Sequence, residues 1–101
     1  MNQMMRQAQA LQRKMAKAHE ELATEEVSGS AGGGTVTAVA SGTGELKRID
    51  IAPDVVDPDD VEMLQDVVVA AVNEALRAAK DLEEERMNAI GGGMGLPPGM
   101  F

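Results

Sequence analysis

Residues 27–51, VSGSAGGGTVTAVASGTGELKRIDI, decide the fold. Residues 35–41 are rich in β-branched side chains and alternating, and over 45–51 Ile49 and Ile51 share one face. The run 27–30 is shorter and of the same kind. Between these runs lie Gly32-Gly33-Gly34 and Gly42-Thr43-Gly44. Glycine accepts left-handed backbone angles at no steric cost, so both triplets read as turns. A three-stranded antiparallel meander is the expectation. Its two outer strands have unpaired edges, and its apolar face needs a cover.

The cover is expected from helices on either side. In residues 2–24, Met4, Ala8, Leu11, Met15, Ala18 and Leu22 recur at alternating spacings of four and three. On a helical wheel these six fall within about 80° of one another. Arg6, Arg13 and Lys17 fall within about 40° on the opposite side. Gln3, Gln7 and Gln9 flank that basic line, and Lys14 stands on its shoulder. The helix thus has an apolar back for packing and a basic, amide-rich front. On the other side of the meander, Asp57-Pro58-Asp59-Asp60 reads as a helix start. Asp57 would be the N-cap, Pro58 the first helical residue, and the carboxylates would complement the helix dipole. The helix is expected to run to about Asn88, with Val61, Leu64, Val68, Ala71, Ala75, Ala78 and Leu82 as its apolar seam. The fold class is therefore α+β: helix, meander, helix. Residues 1–90 are expected to form one domain and 91–101 a flexible Gly/Met/Pro tail.

Charge is distributed unevenly along the chain. The total is −8. Residues 1–19 carry +4 from Arg6, Arg13, Lys14 and Lys17 with no acid, residues 20–56 carry −5, and residues 57–101 carry −7. An acidic protein with one cationic end presents either a solvated helix face or a local contact for a polyanion, and charge alone leaves both open. From Arg6 to Lys17 a helix rises about 16 Å. Two copies would present eight cations to a duplex, and counterion release makes such a patch useful without base readout.

Leu, Ile, Val and Phe together number 21 of 101 residues, against 15 alanines. Small side chains bury little area each, so a lone chain of this length would be marginally stable and an oligomer is expected. No cysteine is present, which excludes disulfides and thiolate metal sites, and one histidine excludes poly-His sites. No apolar run reaches the roughly 20 residues that span a bilayer, and the opening residues lack a signal-peptide core. A cytoplasmic protein without membrane contact is expected.

Other candidate features have plainer readings. Asp57, Asp59, Asp60, Glu62 and Asp66 could form a metal site or mimic DNA, but dipole complementarity explains most of them. His19 has no accompanying nucleophile and reads as solvated. Asn73, among alanines, reads as a structural hydrogen-bonding group at a packed interface. Neither glycine triplet is followed by Lys-Ser/Thr and a helix, so neither is a phosphate loop. Met4, Met15 and Met63 read as core filling. No acid/base pair or nucleophile constellation appears, so an enzyme is not expected, nor a cofactor, a metal or a small-molecule substrate.

In this order the pieces resemble the YbaB/EbfC family of bacterial nucleoid-associated proteins. The resemblance rests on Met4, Met5, Gln7, Gln12 and Met15, on Val27-Ser28-Gly29 and Gly32-Gly33-Gly34, and on Leu46-Lys47-Arg48-Ile49-Asp50-Ile51. It continues in Ala71-Val72-Asn73-Glu74-Ala75 and Leu96-Pro97-Pro98-Gly99-Met100. Gln65-Asp66-Val67 departs from the family's usual Glu-Asp-Leu. The resemblance implies a tweezer-like homodimer whose helices project from a central sheet region, and binding of double-stranded DNA with little or no sequence preference. It implies nucleoid association and an influence on gene expression. The binding role is carried onto Arg6, Arg13, Lys14 and Lys17 alone, because Glu83-Glu84-Glu85 makes the closing helix acidic. The competing expectation is a non-enzymatic protein–protein adaptor or chaperone-like helical dimer using the same faces.

Overall fold

The computed structural model describes residues 2–93. Helix α1 (Asn2–Thr24) leads into strands β1 (Glu26–Ala31), β2 (Val36–Ser41) and β3 (Leu46–Ile51). A 3₁₀ turn (Pro53–Val55) then connects to helix α2 (Val61–Gly93). The strands form one antiparallel sheet in the order β1-β2-β3. Glu26 lies opposite Ser41 and Ala31 opposite Val36 in the first pairing, and Val36 lies opposite Ile51 in the second. The second pairing is interrupted after Val39↔Arg48, since Ala40 faces Leu46 and leaves Lys47 as the extra residue of a bulge. The α+β architecture matches the expectation, and the strand ends shift by a residue or two.

Helix α2 packs across β1 and β2. The buried core there is Val36, Ala38 and Ala40 from β2 with Ala71 and Ala75 from α2. Val27, Ala31, Ile49, Leu64, Val67, Val68, Val72 and Leu76 pack around it. Gly29 lets the helix come this close. A Cβ at that position would lie 2.7 Å from the Glu74 Cβ, a separation that packed atoms do not tolerate. The alanine stripe of α2 and the glycine of β1 are thus two halves of one contact. The buried stripe is Ala71, Ala75 and Ala79, whereas the expected Ala78 and Leu82 are half-buried and Val61 is 51% exposed. Steps of four keep a residue on nearly the same helical face, and Ala71 and Ala75 of that file meet Val36, Ala38 and Ala40 of β2.

Three further expectations are corrected. Asp57 does not cap α2. Its carboxylate accepts the Asp59 N–H at 2.9 Å and its carbonyl accepts the Asp60 N–H at 3.0 Å, closing a turn around Pro58. The cap is Asp60, whose Oδ1 accepts the Met63 N–H at 3.3 Å. Proline suits the second position of a turn as well as the first position of a helix. At its other end, α2 continues past Asn88 into the glycine run as far as Gly93. The remainder of the expected tail, 94–101, lies outside the described residues. Finally, Met4 is 75% and Met63 45% exposed in the single chain, and only Met15 of the three is half-buried.

The molecule is long: 68 × 22 × 16 Å, with a radius of gyration of 18.6 Å. A compact chain of this length would have a radius near 13 Å. The elongation has a simple cause. The sheet is short, and both helices outrun it.

Candidate nucleic-acid interface

Burial along the seam of α1 follows a gradient. Met4 is 75% exposed, Leu11 and Met15 are half-buried, Ala18 is 4% exposed and Leu22 is 0%. The helix is therefore held at its C-terminal end and leaves the fold as an arm. Leu22 is among the largest fully buried side chains of the described residues. The end of the arm is fixed by the β2–β3 turn, where the Gly42 N–H is shared between the carbonyls of Leu22 (2.9 Å) and Glu25 (3.0 Å). A Cβ at Gly42 would lie 2.8 Å from the Leu22 carbonyl oxygen, so a larger residue would push the arm away. The turn itself is held by the Ser41 hydroxyl, which accepts the Glu45 N–H at 3.1 Å and lies 2.7 Å from the Thr43 hydroxyl.

Arg6, Arg13, Lys14 and Lys17 are all exposed on this arm. The regular α1 helix over Asn2–Thr24 puts Arg6, Arg13 and Lys17 on the side away from the Leu11–Leu22 seam. Two other cations, Arg48 and Arg86, are held in ion pairs within the fold. Arg48 on β3 reaches Asp50 at 3.3 Å and Glu26 at 3.7 Å. Arg86 on α2 reaches Glu25 at 2.9 Å and Glu21 at 3.6 Å. Lys47, Arg77 and Lys80 are exposed on the sheet and on α2.

The Arg86 cluster is a feature that the sequence reading missed. Its residues lie 61 positions apart from Arg86 to Glu25, and no local pattern signals a contact of that range. The hydrogen bond that Arg86 donates to Glu25 holds its guanidinium above the ordinary pKa, burial opposes this, and the charges of Glu25, Glu21 and Glu85 add to it. The Oε2 of Glu25 is buried without a hydrogen-bond partner among the described residues.

The remaining candidates take quieter places. His19 is exposed, as expected of a solvated residue. Asn73 is also exposed, on the side of α2 away from the buried alanines, so in the single chain it makes no packed contact. Among the described residues no group of three or more His, Asp or Glu could hold a metal ion, and no helix is long and apolar enough to cross a membrane.

Comparison with known proteins gives one consistent result. Residues 1–94 match the family model described as the YbaB/EbfC DNA-binding family. A nucleoid-associated protein of Saccharopolyspora erythraea is 57% identical over 100 residues, covering 95% of this chain and 86% of the relative. One from Ruminiclostridium cellulolyticum is 52% identical over 101 residues, covering 100% of this chain and 88% of the relative. The crystal structure of an uncharacterized protein from Helicobacter pylori has a similar fold, with a TM-score of 0.73 at 20% identity. It covers 84% of this chain and 89% of that one.

Proposed function

The chain belongs to the YbaB/EbfC DNA-binding family, and from that premise we propose that it binds duplex DNA as a homodimer, with little or no sequence preference, through Arg6, Arg13, Lys14 and Lys17 of α1. The observation that carries this reading is the arm itself: a helix that holds four cations and no acid as far as His19, exposed on a projection from an otherwise acidic fold. Cations in a line along about 16 Å of helix suit a row of phosphates. They offer no defined set of base-reading side chains, so affinity comes from counterion release. The names of its relatives support association with the nucleoid. Binding is the whole activity in this reading, with no enzymatic step.

The homodimer is supported by what the single chain leaves uncovered. Among the described residues Met4 and Ala8 of the α1 seam are exposed, both outer strands have an open edge, and Ile51, Val56 and Val61 are 40%, 55% and 51% exposed. A second copy would cover these surfaces and bring two arms to one duplex.

The test is a salt titration of the wild-type protein on two unrelated duplexes. If a dimer neutralises four to eight phosphates, log K falls against log[salt] with a slope of roughly −4 to −7, equally for both duplexes. A slope near zero, or a strong preference for one duplex, overturns the reading.

A further inference from the structure

We propose that Arg86 is a positioning residue for DNA binding: by gripping Glu21 and Glu25 from α2, it fixes the direction in which the α1 arm leaves the fold. The inference rests on the reading of α1 as the DNA-contacting element.

The argument is one of leverage. The arm is held near one end, by burial of Ala18 and Leu22 and by the Gly42 N–H on the Leu22 and Glu25 carbonyls. These contacts locate a pivot. From Leu22 to Arg6 the helix extends about 24 Å, so a swing of about 10° would carry Arg6 some 4 Å, more than the length of a hydrogen bond. Two arms must match one duplex at the same time, and that demand makes angular looseness costly to affinity.

Arg86 supplies what the pivot lacks. Its Nη2 donates to Glu25 Oε1 at 2.9 Å and its Nη1 lies 3.6 Å from Glu21 Oε2. Glu21 lies in the last turn of α1 and Glu25 just past its end, with the Glu25 N–H on the Glu21 carbonyl at 3.1 Å, so one rigid guanidinium fork spans the junction where the arm leaves the fold. It braces from α2 the direction that the buried Ala18 and Leu22 hold only at the base of the arm. The fork geometry is what a planar guanidinium provides and a lysine ammonium does not. Arg86 also answers a local electrostatic problem. Glu20, Glu21, Glu25 and Glu26 crowd the C-terminal end of α1, where the helix dipole disfavours negative charge. The buried Oε2 of Glu25 has no hydrogen-bond partner among the described residues, so the carboxylate relies on the bond from Arg86 to its Oε1. Without Arg86 that carboxylate would be left uncompensated and would turn outward, releasing the end of the arm.

The experiment uses the full chain, which has no native cysteine. Spin labels at Met5→Cys and Asn73→Cys, diluted in excess unlabelled chain, report the distance between arm and α2 without DNA. Duplex affinity and its salt slope are measured alongside, for wild type, Arg86→Gln and Arg86→Lys. The expected result is a broadened distance distribution for Arg86→Gln and an affinity loss of about 2- to 30-fold, the range for residues that act at a distance. The salt slope should stay unchanged, because Arg86 touches no phosphate, and Arg86→Lys should fall between the two. Should Arg86→Gln lose helicity by circular dichroism, Glu21→Gln with Glu25→Gln removes the same grip from the other side and must give the same two readouts. An unchanged distance distribution overturns the proposal, as does a slope that flattens with Arg86→Gln, which would make Arg86 a phosphate contact. A loosened arm with undiminished affinity overturns it too, while the basic-line reading stands if Arg13→Ala with Lys17→Ala still weakens binding. If that double variant has no effect either, the reading of the arm fails and takes the inference with it.

Discussion

Replacing Arg13 and Lys17 by alanine removes half of the basic line from each arm and separates a DNA-contacting helix from a merely solvated one. Both side chains are exposed on α1, away from the Leu11–Leu22 seam, and alanine is the strongest helix former, so the fold should survive. Each phosphate released from contact removes about 0.9 from the salt slope, which at 0.1 M salt corresponds to roughly eightfold in affinity against a 1 M reference. If one of the two residues on each arm touches a phosphate, the dimer loses two contacts, and binding at 0.1 M weakens about 60-fold. If both do, four contacts are lost and the figure rises to about 4,000-fold, with the slope flatter by about 3.6. Loss of affinity should be equal on unrelated duplexes, since phosphate contacts carry no sequence information. The assay is fluorescence anisotropy across a salt series on two labelled duplexes, with thermal melts by circular dichroism beside it. Unchanged affinity and slope in a variant that melts like wild type would refute the reasoning. Lys47, Arg77 and Lys80, exposed elsewhere on the fold, would then be the next cations to remove.

Other outcomes follow from the packing. Gly29→Val should destabilise the fold by about 1–3 kcal/mol through overpacking against α2, lowering Tm by at least about 4 °C in a thermal melt. A melt that overlays wild type would mean that α2 does not lie against β1 at Ala75. Sedimentation at micromolar concentration should show a dimer, and a folded monomer of 10.6 kDa would contradict it. Deleting residues 94–101 should leave the melt almost unchanged, because the segment is rich in Gly and Pro and has no periodicity. A fall of several degrees would mean that Leu96, Met100 or Phe101 packs on the domain.

What the sequence reveals is set by the range of the interaction concerned. Strand alternation, glycine turns and helical periodicity act over a few residues, and so α1 over 2–24 and the meander over 27–51 are legible, with the basic line that the helical wheel defines. The start of α2 is local too, but degenerate. Asp57 and Asp60 are equally good caps, and Pro58 suits a turn or a first helical residue, so only the completed hydrogen bonds at Asp59 and Met63 distinguish them. The choice of Ala79 over Ala78 depends on the sheet beneath α2, with Gly29 admitting the helix backbone. The grip of Arg86 on Glu21 and Glu25 exists only after α2 returns to the end of α1.

The exposure of Met4 and the burial of Leu22 belong to this last kind of information, and together they bear on the arm's use. A single seam of evenly spaced apolar residues would ordinarily be covered along its whole length. Here its C-terminal part is covered within the chain, while Met4 stays 75% exposed toward the far end of the arm. The core beneath the sheet is built of Val and Ala, with little apolar area to spare for a helix that contributes nothing. In the proposed reading the uncovered half of the seam is used outside the chain. In the proposed dimer it would face a second apolar surface, while the basic line on the opposite side stays turned toward the duplex. One helix would then serve two partners at once, apolar behind and polyanionic in front, and the direction set at its base by Arg86 would govern both.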